Sequence, residues 1–327
     1  IDPVGSLRKS AYVRITRGCN KFCTYCVVPF TRGAEIHRPP EHIVEECQRL
    51  ADQGVLEITL LGQTVNHYRF EHDAATVAGG VTQPQKGRAF KGGHKRDPLS
   101  GASVTTFADL LYQIHEKAPS IQRLRFVTSY PRDFGDDVLE VIRDCPRICR
   151  YLHVPAQTGS DRMLKMMNRG YTVSQYDEFV CRAREHLHQP EIGRPLMISG
   201  DIIVGFPTET DEDFAQTVSL LERSRYKSCF IFKYSPRPGT VAYDKIPDDV
   251  PEAVKRAPCG AEPDFWRDQP RAGRQLVRHP RRGAEPARDQ GRGPERQAGQ
   301  ESLGRRAADH RWPERRRIGR PLRDRSP

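Results

Sequence analysis

The chain has 327 residues, of which 36% are hydrophobic. That supports one or two packed domains but not a core over the whole length. No apolar run approaches the roughly 18 residues of a membrane span, and no basic-then-apolar leader opens the chain. Integral membrane and collagen-like classes are therefore excluded, and the expected compartment is the cytoplasm. The net charge is +11, but residues 257–327 hold 18 Arg, no Lys and 10 acidic residues, so +8 of it lies there. The high net charge is therefore no evidence that the remaining body, at +3, is a basic nucleic-acid platform. Nine cysteines, an odd number without disulfide-like spacing, point to a reducing environment. Residue 1 is Ile rather than Met, and residues 1–10 read as the remnant of a preceding domain.

From residue 11 to about 235, short apolar runs alternate with amphipathic stretches. Residues 12–15 read as a strand. Pro39 and Pro40 open a helix through Ala51, with Ile43, Val44, Cys47, Leu50 and Ala51 on one face. A strand over 57–61, a helix over 107–117 and a strand over 124–127 follow. Next come a helix over 136–143 and a strand over 151–154. Ser174 with Asp177 suggests a capping box for a helix running to about His188. The nearly continuous apolar run 198–204 is a strand. Thr210 with Asp213 caps the next helix, whose Phe214, Val218 and Leu221 share a face, and 229–232 is a sixth strand. Strands separated by helices mean βα units and a parallel sheet, so the fold class is α/β. Six strands suit an incomplete barrel better than a closed eight-stranded one.

Two segments interrupt this pattern. Residues 68–106 lack periodicity and contain six Gly; they read as an insertion loop within a catalytic domain spanning 11–256. The segment 257–327 has nine Pro, eight Gly and only five Leu, Ile and Val, too little to bury on folding. It is expected to be a disordered Arg-rich tail or the product of a shifted reading frame.

The sharpest chemical signal is Gly18-Cys-Asn-Lys-Phe-Cys-Thr-Tyr-Cys26, a C-x3-C-x2-C loop directly after the first strand. Cys19, Cys23 and Cys26 can hold three irons of a 4Fe–4S cluster and leave the fourth iron open. Zinc is the competing metal, but a structural zinc takes four ligands, and His37 is the only nearby candidate for the fourth. Cys145 and Cys149, one helical turn apart, read as small packed hydrophobes.

This loop, at the mouth of a partial (βα)6 barrel, resembles the radical S-adenosylmethionine (SAM) superfamily. Five ordered stretches narrow the resemblance: GCNKFCTYCVVPFTRG at 18–33, LLGQTVN at 60–66, YLHVPAQTGSDRMLKMMNRGYT at 151–172, DIIVGFPTET at 201–210 and YSPRPGT at 234–240. Together they look like the methylthiotransferases, specifically the tRNA-2-methylthio-N6-dimethylallyladenosine synthase family. The implied cofactors are a 4Fe–4S cluster on Cys19, Cys23 and Cys26, and S-adenosyl-L-methionine chelating the open iron. The implied reaction is one-electron cleavage of SAM to a 5′-deoxyadenosyl radical, which activates C2–H of an adenosine next to the tRNA anticodon for methylthio insertion. A related enzyme acting on threonylcarbamoyladenosine or on a ribosomal protein is the alternative.

Gly62 and Gln63 fall where the superfamily's SAM-amino-binding turn lies. Gln157 follows the fourth strand, and Thr158 stands where the family usually has Ser. Asp201, with Gly205 and Pro207, flanks the fifth strand. Gly62, Gln63, Gln157 and Asp201 are the expected SAM contacts, while the catalytic residues proper stay unassigned. Met163, Met166 and Met167 read as core. The resemblance further implies the tRNA anticodon stem-loop as partner, an electron donor such as a flavodoxin, a monomeric state and no membrane. The family's N-terminal domain carries three cysteines for a second, sulfur-delivering cluster, whereas no Cys precedes Cys19 here. The family's C-terminal RNA-binding barrel is replaced by the Arg-rich segment. The chain is thus expected to cleave SAM without completing methylthio transfer on its own.

Overall fold

The structure, a computed structural model, describes residues 9–87 and 103–260, with side chains to residue 256. Six parallel strands follow one another in chain order: β1 (Ser10–Arg14), β2 (Glu57–Leu61), β3 (Arg123–Phe126), β4 (Tyr151–His153), β5 (Met197–Val204) and β6 (Ser228–Lys233). β2 lies between β1 and β3, with Val13 opposite Leu60 and Ile58 opposite Leu124. β5 lies between β4 and β6, with Leu152 opposite Ile198 and Ile202 opposite Ile231. The two three-stranded halves meet where Leu124 bridges Ile148 and where the Ser129 amide donates to the His153 carbonyl at 3.0 Å. No pairing joins β1 to β6 among the described residues. The result is the open six-stranded barrel that the strand count implied.

Each crossover is helical: α1 (Pro40–Asp52), α2 (Phe107–Lys117), α3 (Asp136–Asp144), α4 (Asp161–Met166) with α5 (Val173–Leu187), and α6 (Asp211–Ser224). The strands carry apolar residues toward both the lumen and the helices, as a sheet covered on both faces requires. Val13, Ile15, Ile58, Leu60, Phe126, Leu152 and Ile202 are all buried in one core. α1 buries Ile43, Val44, Cys47 and Ala51 as its sequence pattern requires, with Leu50 at the edge.

Some helix starts were legible from a hydroxyl and an acid or amide three residues apart. Thr210 accepts from the Asp213 amide at 3.3 Å while Asp213 accepts from the Thr210 amide at 3.0 Å. For α5 the box sits two residues earlier than Ser174–Asp177: Thr172 and Gln175 cap it, and Asp177 instead pairs with Arg223 at 2.9 Å. An equivalent box, Thr106–Asp109, caps α2 and was not anticipated. The α6 face is also turned from expectation. Its buried positions are Asp213, Thr217, Leu220, Leu221 and Ser224, leaving Phe214 and Val218 half-buried.

Three further expectations change. Residues 68–106 are not simply a loop. Arg69–Glu71 pairs antiparallel with Val104–Thr106, Val77–Ala78 with Val81–Thr82, and Gln85–Lys86 with Ile36–His37; residues 88–102 lie outside the described residues. Cys145 and Cys149 do not share a helix, because Cys145 caps the end of α3 and Cys149 lies past the following turn, next to Ile148, which bridges to Leu124. Their separate burial, which raises both thiol pKa values, suits packed thiols. Last, after α7 (Val241–Lys245) a helix α8 spans Glu252–Gly260, so regular structure crosses the boundary drawn at 256. The remainder of the expected tail, like residues 1–8, lies outside the described residues.

Candidate active site

Parallel strands deliver their C-terminal ends to one mouth, and the cysteine loop leaves β1 there. Gly18 sits at φ +78° against the backbone of residues 33 and 34, and a Cβ at this position would overlap the Ala34 carbonyl oxygen. Only glycine lets the chain fold back so tightly. The Cys19 amide donates to the Gly33 carbonyl at 3.3 Å and the Cys26 amide to the Cys23 carbonyl at 3.0 Å. Cys19, Cys23 and Cys26 are all half-buried free thiols.

The loop is clasped by the segment that follows α4. Thr24 donates from its amide to the Met167 carbonyl at 3.1 Å and from its hydroxyl to the Met166 carbonyl at 2.9 Å. Asn168 Nδ2 donates to the Phe22 carbonyl at 2.9 Å. Met163 and Met167 pack with Phe206, Tyr234 and Ala242, and Tyr25 from the loop lies against that cluster. Met163 and Met167 are therefore core, as expected, Met166 is half-buried at its edge, and this core fastens the loop.

Arg169 is the residue whose role sequence reasoning missed. Its guanidinium is buried. It donates to Cys23 Sγ at 3.3 Å, to the Tyr171 hydroxyl at 3.1 Å and to the Pro155 carbonyl at 3.2 Å. The rings of Tyr130 and Tyr171 lie 4.8 and 5.2 Å away. Burial disfavours the charged form, but the surrounding Tyr171, Tyr25, Cys23 and Tyr130 outweigh it, so Arg169 stays a cation. Lys21 is placed similarly, with Nζ over Tyr130 at 4.4 Å and ion-paired to buried Asp133. The signal in the sequence was the Asn-Arg-Gly-Tyr turn itself.

Do these residues fit a cluster? Burial raises the Cys19 thiol to about 11 and raises Cys26 as well, which favours their protonated forms. Metal displaces those protons when it binds, and the buried Arg169 cation lies 3.3 Å from Cys23 Sγ. Three soft sulfur donors on one loop, one of them beside a fixed positive charge, fit an iron–sulfur group. They do not fit a four-ligand zinc: His37, the proposed fourth ligand, faces Glu35 at 3.2 Å instead.

Gly62 and Gln63 are half-buried just past β2, at the same mouth. A Cβ on Gly62 would overlap the Thr16 hydroxyl, so this turn passes close to the chain just beyond β1 by necessity. Gln157 has φ +75° and locks onto β5: its amide donates to the Asp201 carbonyl and its carbonyl accepts from Ile203, both at 2.8 Å. Asp201 is half-buried and meets His153 Nε2 at 3.2 Å. Gln157 and Asp201 are thus brought together, whereas no hydrogen bond joins them to Gly62 or Gln63 among the described residues. Thr158 has a structural task, with its hydroxyl 3.1 Å from that of Thr217 on α6. Gly205, at φ +68°, lies against Lys255 of α8.

The sequence profile of the radical SAM superfamily matches residues 13–221. Over 246 residues the chain is 46% identical to a tRNA-2-methylthio-N(6)-dimethylallyladenosine synthase of Protochlamydia amoebophila, covering 75% of this chain and 47% of that protein. A synthase of the same name from Rhodopirellula baltica is 48% identical over 247 residues, covering 76% and 44%. The chain spans about half the length of the curated relatives it matches. Among solved structures, the radical S-adenosylmethionine methyltransferase TsrM of Kitasatospora setae superposes with a TM-score of 0.50 at 18% identity, covering 71% of this chain and 38% of that one.

Proposed function

The chain belongs to the radical SAM superfamily, and from that membership we propose that it is the catalytic barrel of a methylthiotransferase acting on N6-dimethylallyladenosine beside the tRNA anticodon. The observation that carries this is a three-thiol loop at the barrel mouth in a chain 46% and 48% identical to curated synthases of that name. Cys19, Cys23 and Cys26 hold a 4Fe–4S cluster. With SAM bound, that group supplies reductive cleavage of the SAM sulfonium, and the barrel supplies placement and dryness.

This chain's residues divide that work. Gly62 and Gln63 offer backbone carbonyls to the SAM ammonium at the end of β2. Asp201, next to His153, presents a carboxylate to the ribose hydroxyls, and Gln157 fixes its position by locking the end of β4 onto β5. Tyr25 and Phe206, edge-to-face with centroids 6.5 Å apart, close the apolar side of the mouth against water. Arg169 pins Cys23 and neutralises thiolate charge. The electron comes from a small donor of the flavodoxin class, and the working form is a cytoplasmic monomer. No helix among the described residues is long and apolar enough to cross a membrane.

A labelling experiment tests the reading. Reconstituted chain, SAM and dithionite are mixed with an anticodon stem-loop carrying N6-dimethylallyladenosine deuterated at C2. The 5′-deoxyadenosine formed should carry deuterium. Label from a threonylcarbamoyladenosine stem-loop, and none from the dimethylallyl one, would reassign the substrate. Absence of 5′-deoxyadenosine would remove the radical SAM reading itself.

A further inference from the structure

Next to the cysteine loop, but not part of it, lies a buried polar cluster that the chemistry above does not use. Glu35 and His37 flank and end the short strand Ile36–His37, and His67 ends the turn Val65–His67 after Gly62 and Gln63. All three side chains are no more than 3% exposed. Glu35 Oε2 is 2.8 Å from His67 Nδ1, and Glu35 Oε1 is 3.2 Å from His37 Nε2. Thr64 donates its hydroxyl to Glu35 Oε1 at 3.3 Å. One nitrogen or oxygen from each of the three residues lies within 4.8 Å of the others.

The hydrogen inventory of His37 is informative. Its Nδ1 is 2.6 Å from the Arg69 carbonyl oxygen, a donor-to-acceptor distance, and 3.1 Å from the Arg69 amide. The Arg69 carbonyl calls for a hydrogen on Nδ1 and the Arg69 amide for a lone pair there, so either ring nitrogen can carry the hydrogen. Nε2 is turned into the cluster. It faces a carboxylate oxygen at 3.2 Å and has no hydrogen-bond partner of its own. A buried carboxylate facing two imidazole rings is costly to hold unless a cation, proton or metal, is shared among them.

We propose that Glu35, His37 and His67 bind one divalent transition metal of the zinc class, through two imidazole nitrogens and a carboxylate, separately from the thiolate loop. Ligands about 2.1 Å from a common ion stand roughly 3.0–3.4 Å apart, from octahedral to tetrahedral coordination; the 3.2 Å separation lies in that range and the 2.8 Å one would open slightly on binding. Imidazole and carboxylate are the donor set for zinc and its neighbours. A carbonyl for the outer shell is also at hand: a metal-binding His usually donates its other N–H to one, and the Arg69 carbonyl lies 2.6 Å from His37 Nδ1. Gly87 closes one side, since a Cβ there would stand 2.9 Å from His37 Nε2. Asn20 couples the site to the catalytic loop, accepting from the Glu35 amide and donating to the Gly87 carbonyl, both at 3.1 Å. The ion would staple residues 35–37 to 64–67 behind Cys19.

The test uses the full chain carrying Cys19→Ala, Cys23→Ala and Cys26→Ala, so that thiolate-loop metal does not interfere. After chelator dialysis and loading with Zn2+, elemental analysis should find one zinc per chain. X-ray absorption should show a nitrogen and oxygen shell with two imidazoles. His37→Gln and Glu35→Gln should each weaken zinc binding at least about 100-fold. Zinc below about 0.2 per chain, sulfur in the shell, or equal uptake by His37→Gln would overturn the proposal. Should Glu35→Gln fail to fold, the absorption spectrum of the chain with Glu35, His37 and His67 intact still decides. Cluster assembly in the chain with its cysteines intact is scored separately, so either reading can fail alone.

Discussion

Removing the charge at Arg169 should lower the reduction potential of the cluster while sparing its assembly. The guanidinium sits 3.3 Å from Cys23 Sγ. At an effective dielectric near 20, unit charges at that distance interact by about 5 kcal/mol. The cluster's charge is spread over three thiolates, so Arg169 acts on about a third of it, or roughly 1.5 kcal/mol. For a one-electron couple that corresponds to a shift of about 60 mV to more negative potential. Arg169→Met keeps volume and loses charge and should show the whole shift. Arg169→Lys keeps the charge but loses the fork that reaches Tyr171 and Pro155, and should show less than half of it. The assay is a dithionite titration of reconstituted protein followed by electron paramagnetic resonance, with circular dichroism melts as a folding control. A midpoint for Arg169→Met within about 10 mV of the parent, or a shift to more positive potential, would refute the electrostatic argument.

Other outcomes follow from the same geometry. Gly18→Ala should cost about 2–4 kcal/mol, because φ +78° and contact with the Ala34 carbonyl both oppose a Cβ. It should also cut iron incorporation although every thiol remains; full loading would show that the turn is adaptable. Burial raises Glu209 to about 7, and its Oε1 has no hydrogen-bond partner. A folded-state value above the unfolded one means the stabilising contribution is complete at low pH and is lost as pH rises from about 4.5 through 7. Glu209→Gln should therefore melt higher than the parent at pH 8 and no higher at pH 5. A constant difference between the two proteins at both pH values would contradict the raised value. Thr210→Ala, which deletes one half of a capping box, should cost about 1 kcal/mol in denaturant unfolding; no change would mean the cap is redundant. Cys145→Ala and Cys149→Ala should leave iron content unaltered, and a drop would reopen them as ligands.

The barrel was readable because its signals are local. Residues 57–61 and 107–117 match β2 and α2 end to end, since period-2 and period-3.6 patterns are set by adjacent residues. Thr210–Asp213 announced its helix for the same reason. The misplaced cap of α5 shows the limit: Ser174–Asp177 and Thr172–Gln175 both satisfy the pattern, and tertiary placement chose the latter, with Asp177 turned toward Arg223. The insertion at 68–106 looked aperiodic because its strands are two or three residues long and pair with distant partners, such as Ile36–His37. The three cysteines were legible from spacing alone. Arg169 was not, because its importance lies in meeting Cys23 across 146 residues of chain. Glu35, His37 and His67 likewise share no local pattern, and only the fold brings them together.

The central claim is that Cys19, Cys23 and Cys26 carry the catalytic cluster of a SAM-cleaving enzyme. The most direct measurement is anaerobic reconstitution followed by iron and sulfide analysis and SAM turnover, on the parent chain and on Cys23→Ala. The account predicts about four iron and four sulfide per parent chain, with 5′-deoxyadenosine formed from SAM under dithionite. In Cys23→Ala both should vanish while the fold, monitored by circular dichroism, persists. A full cluster in Cys23→Ala, or SAM cleavage without one, would contradict it.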